Sequence, residues 1–393
     1  MRSPLPGSDG VGAAKGIRLC RGLRPPPRSL RSMRGGRGQL IEVTNLDDFD
    51  RRIGWGVSSL SGWHLHGVDL RGRSEVVRTC SVGGALFLGC VFAPGDEESV
   101  RARGGIVFPS VPGSPVDTYR STLYRPEELF DAARYHDSYD AHAYAWSTQR
   151  ADRETALVTA LHDLAIDQAL ADWIQPRDLV GVMGGHALVR GEPAYADAAR
   201  LGQLLGAHAT VATGGGPGAM EAANLGAWLA HAGAQPLAAA LDRLAEVPHF
   251  HPDIGAWART ALAVLHDLPG GNASLGVPTW HYGHEPPNPF ATAIAKYFRN
   301  SVRESILLQI CNRGIVFLPG AAGTVQEVFQ DACENYYADE SSVARMVLVG
   351  RHYWTRELPA WPLLEALARG RHMAGRIHLV DTVEEAAALI EAG

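Results

Sequence analysis

From Asp178 onward, short and almost wholly apolar runs alternate with stretches whose apolar residues recur at helical spacing. Leu179 to Met183, Ala209 to Thr213, Gly314 to Leu318, Met346 to Val349 and Ile377 to Val380 read as strands, with Pro236 to Leu241 and Ser274 to Tyr282 as further candidates. Helices are predicted over Ala194 to Leu205, Pro217 to Ala230, Ala291 to Cys311 and Thr324 to Tyr337, near Leu363 to Ala368, and from Val383 to the end. Residues 242–272 read as an insertion holding one helix around Ile254 to Leu265. Apolar strands each followed by a helix predict a parallel sheet covered on both faces, a Rossmann-type α/β sandwich. Ligands of such sheets lie in the crevice outside the carboxyl ends of the strands.

The chain before this sandwich is patterned differently. Residues 1–38 hold eight glycines, five prolines and no apolar periodicity. They read as a disordered tail, because they bury too little surface to offset their ordering entropy. A mis-assigned start, with Met33 as the initiator, and a targeting peptide are the other two readings; the latter lacks an apolar core. Residues 39–150 read as a smaller α+β region. Its strand candidates are Leu40 to Val43, Val68 to Leu70, Val76 to Thr79, Ala85 to Phe92 and Gly105 to Phe108, and Glu127 to Trp146 reads as helical. Residues 151–175 are a linking helix: the pattern runs from Arg150 to Ala171, with Leu157, Leu161, Leu164, Ile166 and Leu170 near helical spacing, and Pro176 ends it. Residues 176–393 make up the sandwich.

Charge narrows the classes of partner. The net charge is −6, yet residues 1–38 carry nine basic residues and one acid, leaving 27 basic against 41 acidic residues in the rest. An acidic body repels phosphate backbones, so a nucleic-acid polymer is not an expected partner. The longest mostly apolar run, Val82 to Ala93, has 12 residues including three glycines. It is too short to cross a bilayer, so no membrane partner is expected either. Five cysteines without a CxxC pair argue against a zinc ribbon or a disulfide scaffold and fit a reducing, cytoplasmic compartment.

Three glycine-rich turns fall at carboxyl ends of predicted strands. They are Gly184–Gly185, Gly214–Gly215–Gly216–Pro217–Gly218 and Gly320–Ala321–Ala322–Gly323–Thr324. Small residues let the backbone approach an anion closely, and free N–H groups at a helix start hold a phosphate. None of the turns has the GxGxxG order or a Walker lysine, so a mononucleotide with one phosphate fits better than ATP or NAD. Glu327 follows Gly323 by four residues, on the same helix face and about 6 Å along the axis. That rise matches the span from a 5′-phosphate to the anomeric carbon. Glu327 then either activates water at a glycosidic bond or simply complements the helix dipole.

The run Gly214–Gly215–Gly216–Pro217–Gly218–Ala219–Met220–Glu221–Ala222, together with Pro319–Gly320–Ala321–Ala322–Gly323–Thr324–Val325–Gln326–Glu327, resembles the paired GGGxxGxM and PGGxGTxxE motifs of the LOG family. Glu285–Pro286–Pro287–Asn288–Pro289 is similar to the bacterial nucleotide 5′-monophosphate nucleosidases within it. The resemblance covers roughly residues 175–390. It implies hydrolysis of nucleoside 5′-monophosphates to free base and ribose 5-phosphate without a cofactor or metal, in a homodimer. The family's catalytic glutamate falls on Glu327 and its arginine on Arg303, with Arg299 one turn earlier as the alternative. Substrate contacts are expected at Gly184, Gly185, Gly214, Gly215, Gly216, Gly218, Gly320, Ala321, Ala322, Gly323 and Thr324 and at Arg299, while Glu221 and Asn288, like Asn224 and Glu285, either contact ribose hydroxyls or serve as cap and loop residues.

Two departures from the family pattern matter. Ala321 replaces a glycine, which carries a steric penalty if that position needs positive φ. Gln326 stands where many relatives have a second acid. Rival readings also arise from single residues. Relatives labelled lysine decarboxylases would need a Schiff-base lysine, and of the two lysines only Lys296 lies outside the tail. His64 with His66, and His281 with His284, suggest a metal only if further ligands converge. Phe329, Tyr336 and Tyr337 suit either a dimer face or the core. A non-catalytic nucleotide sensor and a cytokinin riboside 5′-monophosphate hydrolase are the competing functions.

Overall fold

The computed structural model describes residues 40–392 apart from 112, 150–152 and 282–284. The tail expected at 1–38, with Met33 and Lys15, lies outside the described residues, as does His284. In chain order the elements are β1 (Ile41–Val43), α1 (Leu46–Gly54), β2 (Trp63–His66), α2 (Ser74–Thr79), β3 (Leu86–Leu88), α3 (Asp96–Ala102), β4 (Ile106–Phe108), α4 (Pro126–Leu129), α5 (Tyr139–Gln149) and α6 (Arg153–Ile174). Then follow β5 (Leu179–Met183), α7 (Pro193–Gly206), β6 (Thr210–Thr213), α8 (Ala219–Trp228), α9 (Ala234–Ala245), α10 (Ile254–Asp267), β7 (Leu275–Gly276) and β8 (Ala293–Ile294). The chain closes with α11 (Asn300–Ile310), β9 (Ile315–Phe317), α12 (Ala322–Tyr337), β10 (Met346–Val349), α13 (Trp361–Ala368), β11 (Ile377–Val380) and α14 (Val383–Glu391).

The larger sheet has seven parallel strands in the order β11-β10-β9-β5-β6-β7-β8. Its central strands are buried on both faces, as their unbroken apolar runs require. Leu179 and Met183 of β5, Ile315 and Phe317 of β9, and Met346 and Leu348 of β10 face one core, together with Val328 of α12. Val180, Val182, Val316 and Val347 face the other, against α7, α8 and α14. This is the Rossmann-type α/β sandwich that the alternation predicts. Among the described residues, no helix is long and apolar enough to cross a membrane.

The first four strands form a separate parallel sheet, β1-β2-β3-β4, over their own core of Phe49, Leu65, Phe87 and Val100. Ile41 stands opposite Trp63, Leu65 opposite Phe87, and Leu86 opposite Ile106, so the chain advances about 20 residues per coil, as a solenoid does. Equivalent glycines turn the chain into successive strands: Gly62, Gly84 and Gly104 all have positive φ, and the Gly62 N–H donates to Gly84 O. This repeat is not visible in the hydrophobic pattern alone.

Several predicted elements are corrected. Pro236 to Leu241 belongs to α9, because Leu237, Ala240 and Leu244 bury a helical face. The helix expected from Ala291 starts only at Asn300. Its first residues form β8, where Ala293 N–H donates to Ser274 O and Ala295 N–H to Gly276 O; sheet pairing overrides the helix propensity of that alanine-rich run. Val76 to Thr79 is helical, within α2, and Val68 to Leu70 contributes only a single bridge between Asp69 and Val91. In α6 the buried face runs through Val158, His162, Ile166 and Ala169, leaving Leu157 and Leu164 more than half exposed.

Candidate active site

Strand β5 lies between β9 and β6. The chain leaves β5 toward one side of the sheet and later returns to β9 on the other, so the crevice at their carboxyl ends is the topological switch point. The three glycine-rich turns follow these three strands, and they are laced together. Ala219 N–H donates to Gly185 O (3.1 Å), and Gly185 N–H donates to Pro319 O (3.2 Å). The Tyr353 hydroxyl donates to Gly320 O (2.9 Å).

Two glycines make this approach possible. Gly218 has φ +74, and a Cβ there would lie 2.6 Å from Gly185 O. A Cβ on Gly320 would collide with the Thr324 side chain and lie 2.9 Å from Gly185 N. Ala321 needs no such freedom. Its φ is −82, so the alanine carries no left-handed strain. It is also the N-cap of α12 and offers no side-chain cap. The first N–H groups of the helix, at Ala322, Gly323 and Thr324, therefore have neither an intrahelical partner nor a capping side chain.

These residues open on a cleft of about 600 Å³, which Gly184, Gly185, Gly214, Gly216, Gly320, Ala321, Ala322, Gly323, Thr324, Arg303 and Glu327 all line. Glu327 stands on the second turn of α12 with its side chain 14% exposed, and the Arg303 Nη1 of α11 lies 3.8 Å from its Oε1. Burial pushes the Glu327 carboxyl up to about 7; Arg303 opposes that rise and Glu304 adds to it.

Five expected contacts do not line the cleft. Gly215 turns away beneath it, packed on Val277 and Pro278. Gly218 is enclosed by the Gly185–His186 backbone. Glu221 is buried in an ion pair with Arg190, whose guanidinium also donates to Val247 O and Trp257 O of the insertion. Asn288 is buried under the Gly214 turn: its Nδ2 donates to Asn224 Oδ1 (3.0 Å) and its N–H to Gly215 O (2.8 Å). Asn224 Oδ1 also accepts from the Thr213 hydroxyl, so these asparagines brace the turn from below. Arg299 is the exposed N-cap of α11, with its backbone N–H given to Asp163.

The cleft also holds groups that motif reading missed. Glu304 lines it beside Arg303 and accepts from Asn300 Nδ2 and Gln326 Nε2, both at 2.6 Å. Its position next to Arg303, with Gln326 in place of an acid, is the signal that was available. His186 and Glu285 face each other across the cleft at 3.5 Å. Lys296 lies elsewhere, fully buried, with its Nζ 2.5 Å from Asp140 Oδ1. His64 and His66 bracket Glu42 on the outer face of the small sheet. Among the described residues no group of three or more His, Cys, Asp or Glu could hold a metal ion. Phe329 and Tyr336 pack against the core, while Tyr337 is 81% exposed.

No family model matches the chain, and no curated protein does. Among solved structures, the molybdenum cofactor binding protein of Rippkaea orientalis is similar at 17% identity and a TM-score of 0.35, over 55% of this chain and 96% of that one. The molybdenum cofactor carrier protein of Chlamydomonas reinhardtii is similar at 18% identity and a TM-score of 0.33, over 55% of this chain and 97% of that one.

Proposed function

We propose that the protein hydrolyses the N-glycosidic bond of nucleoside 5′-monophosphates, giving free base and ribose 5-phosphate. The observation that carries this reading is that Glu327 shares one cleft with the uncapped amides of Ala322 to Thr324, one helical turn away. The phosphate sits on those amides, with the Gly185 and Gly214 turns beside it. The sugar then reaches Glu327. The C1′–N bond breaks and the hydroxyl of water goes to C1′; the remaining water proton, taken up by the Glu327 carboxylate, passes on to the departing base nitrogen and leaves Glu327 ionised again. A carboxyl that titrates near neutrality suits this exchange, and Arg303 balances the charge that Glu327 carries while ionised. The cleft volume suits a mononucleotide.

The reaction needs only water, so it invokes no organic cofactor or metal. The LOG resemblance of the two glycine motifs points to the same chemistry, and to a cytoplasmic homodimer acting on a free nucleotide. The test is release of ribose 5-phosphate from AMP and GMP by the wild type and by Glu327→Ala. The expected result is product from the wild type and none from the variant at unchanged melting temperature. Equal rates would sink the assignment, and thermal stabilisation by AMP without product would make the protein a nucleotide sensor. Comparing N6-prenylated with plain AMP separates the cytokinin-specific reaction.

A further inference from the structure

The Arg303 guanidinium is shared between two acids. Its Nη1 lies 3.8 Å from Glu327 Oε1, and its Nη2 lies 3.3 Å from Glu304 Oε1. Asn300 Oδ1 accepts from Nε and from Nη2, at 3.2 and 3.1 Å, which fixes the plane of the fork. Glu304 is held just as firmly. Asn300 and Arg303 donate to its Oε1, and Gln326, from the helix that carries Glu327, donates to its Oε2. Asn300, Arg303 and Gln326 all donate to it, as a carboxylate requires. The residue is 8% exposed and lines the cleft.

We infer that Glu304 is a positioning residue of this site. It holds one arm of the Arg303 fork and, as a second negative charge, divides the attraction of that guanidinium between itself and Glu327. This rests on the reading of the cleft given above. The consequence is specific. Without Glu304, the charge of Arg303 falls wholly on Glu327, which then ionises at lower pH and becomes a weaker base. The other charged or titratable groups near Glu327 are Glu285, His186 and Tyr353 around the cleft and Asp331 on the next turn of α12.

The experiment titrates the Glu327 side-chain carboxyl in the full chain by ¹³C NMR, with Glu327→Gln identifying its signal. The wild type is compared with Glu304→Gln, and the pH dependence of base release from AMP is followed in parallel. In Glu304→Gln the Glu327 midpoint is expected to fall by about one pH unit. The acid limb of the rate profile should move with it, kcat should drop at least about tenfold, and KM for AMP should stay within about twofold. A purely structural role would leave the midpoint where it is, and an unmoved midpoint overturns the inference whatever the activity. A moved midpoint in a protein that releases no base from any nucleotide sustains the charge arrangement and overturns the reaction instead. Should Glu304→Gln fail to fold, Glu304→Met removes the same charge with a side chain of similar size. The Glu327 midpoint should again fall, and no movement again overturns the inference.

Discussion

Arg303 and Glu327 face each other at 3.8 Å (Nη1 to Oε1) from adjacent helices, with both side chains nearly closed off from solvent. At that distance the pair is charge-coupled without a close hydrogen bond, so the carboxylate oxygen stays available to a water or a sugar. Burial outweighs the arginine, since the carboxyl still titrates at about 7.

Removing the cation should therefore move the titration in a known direction. Arg303→Met takes away the positive charge that opposes this rise, so the Glu327 midpoint rises and the acid limb of the pH–rate profile shifts to higher pH. The rate of base release at pH 7 should fall about 100-fold or more. Arg303→Lys keeps the charge but loses the planar fork, so it should restore the pH profile and only part of the rate. Steady-state kinetics from pH 5 to 9 check both. A profile unchanged in Arg303→Met would mean that the two residues are not coupled.

The turn at Gly320 makes a contrasting pair of predictions. A methyl group on Gly320 meets the Thr324 side chain and the Gly185 backbone, whereas one on Gly323 meets nothing within 4 Å. Gly320→Ala should lose about 1–3 kcal/mol of stability through overpacking and should abolish stabilisation by AMP. Gly323→Ala, inside the first turn of a helix, should be neutral or slightly stabilising and should keep the AMP response. Thermal melts with and without AMP distinguish the two. Equal behaviour of both variants would show that the close packing of Gly320 on Gly185 does not shape the anion site.

The sandwich was legible because its strands are almost wholly apolar. Leu179 to Met183, Met346 to Val349 and Ile377 to Val380 fall where the pattern puts them. The edge of the sheet was not legible. Leu275–Gly276 and Ala293–Ile294 contribute two residues each, too few to show a period, and their strand character comes from their neighbours. The solenoid escaped for a related reason: its coils share turn glycines and inward positions such as Leu65 and Phe87, but their outward residues differ. Within the cleft, Glu327 lines the wall one turn beyond Gly323, as its spacing suggested, whereas Arg303 was placed only by the family resemblance, with Arg299 as the alternative. Glu304 was not legible, because an acid next to an arginine on a helix normally reads as a solvated pair, and its partner Gln326 lies on another element. Glu221 and Asn288 were misplaced because a polar residue beside a glycine turn looks the same in sequence whether it touches a ligand or braces the turn from beneath.

Asp331 offers a test of stability that is independent of the chemistry. It follows Glu327 by one turn of α12, is 4% exposed, and its Oδ2 has no hydrogen-bond partner. Burial, with some help from Glu334, pushes its carboxyl up to about 8, whereas in the unfolded chain an aspartate titrates near 4, roughly its ordinary value. Between those values the folded state keeps a proton that the unfolded state has released. Stability is therefore lost as pH rises through that window, by an amount on the order of a few kcal/mol. Asp331→Asn removes the ionisation while keeping the shape. Its melting temperature should exceed that of the wild type at pH 8.5, and the gap should narrow steadily as the pH falls toward 4. Because Asp331 does not line the cleft, base release should persist in the variant. A gap that is constant with pH would mean that Asp331 is already ionised in the fold, with a partner for Oδ2.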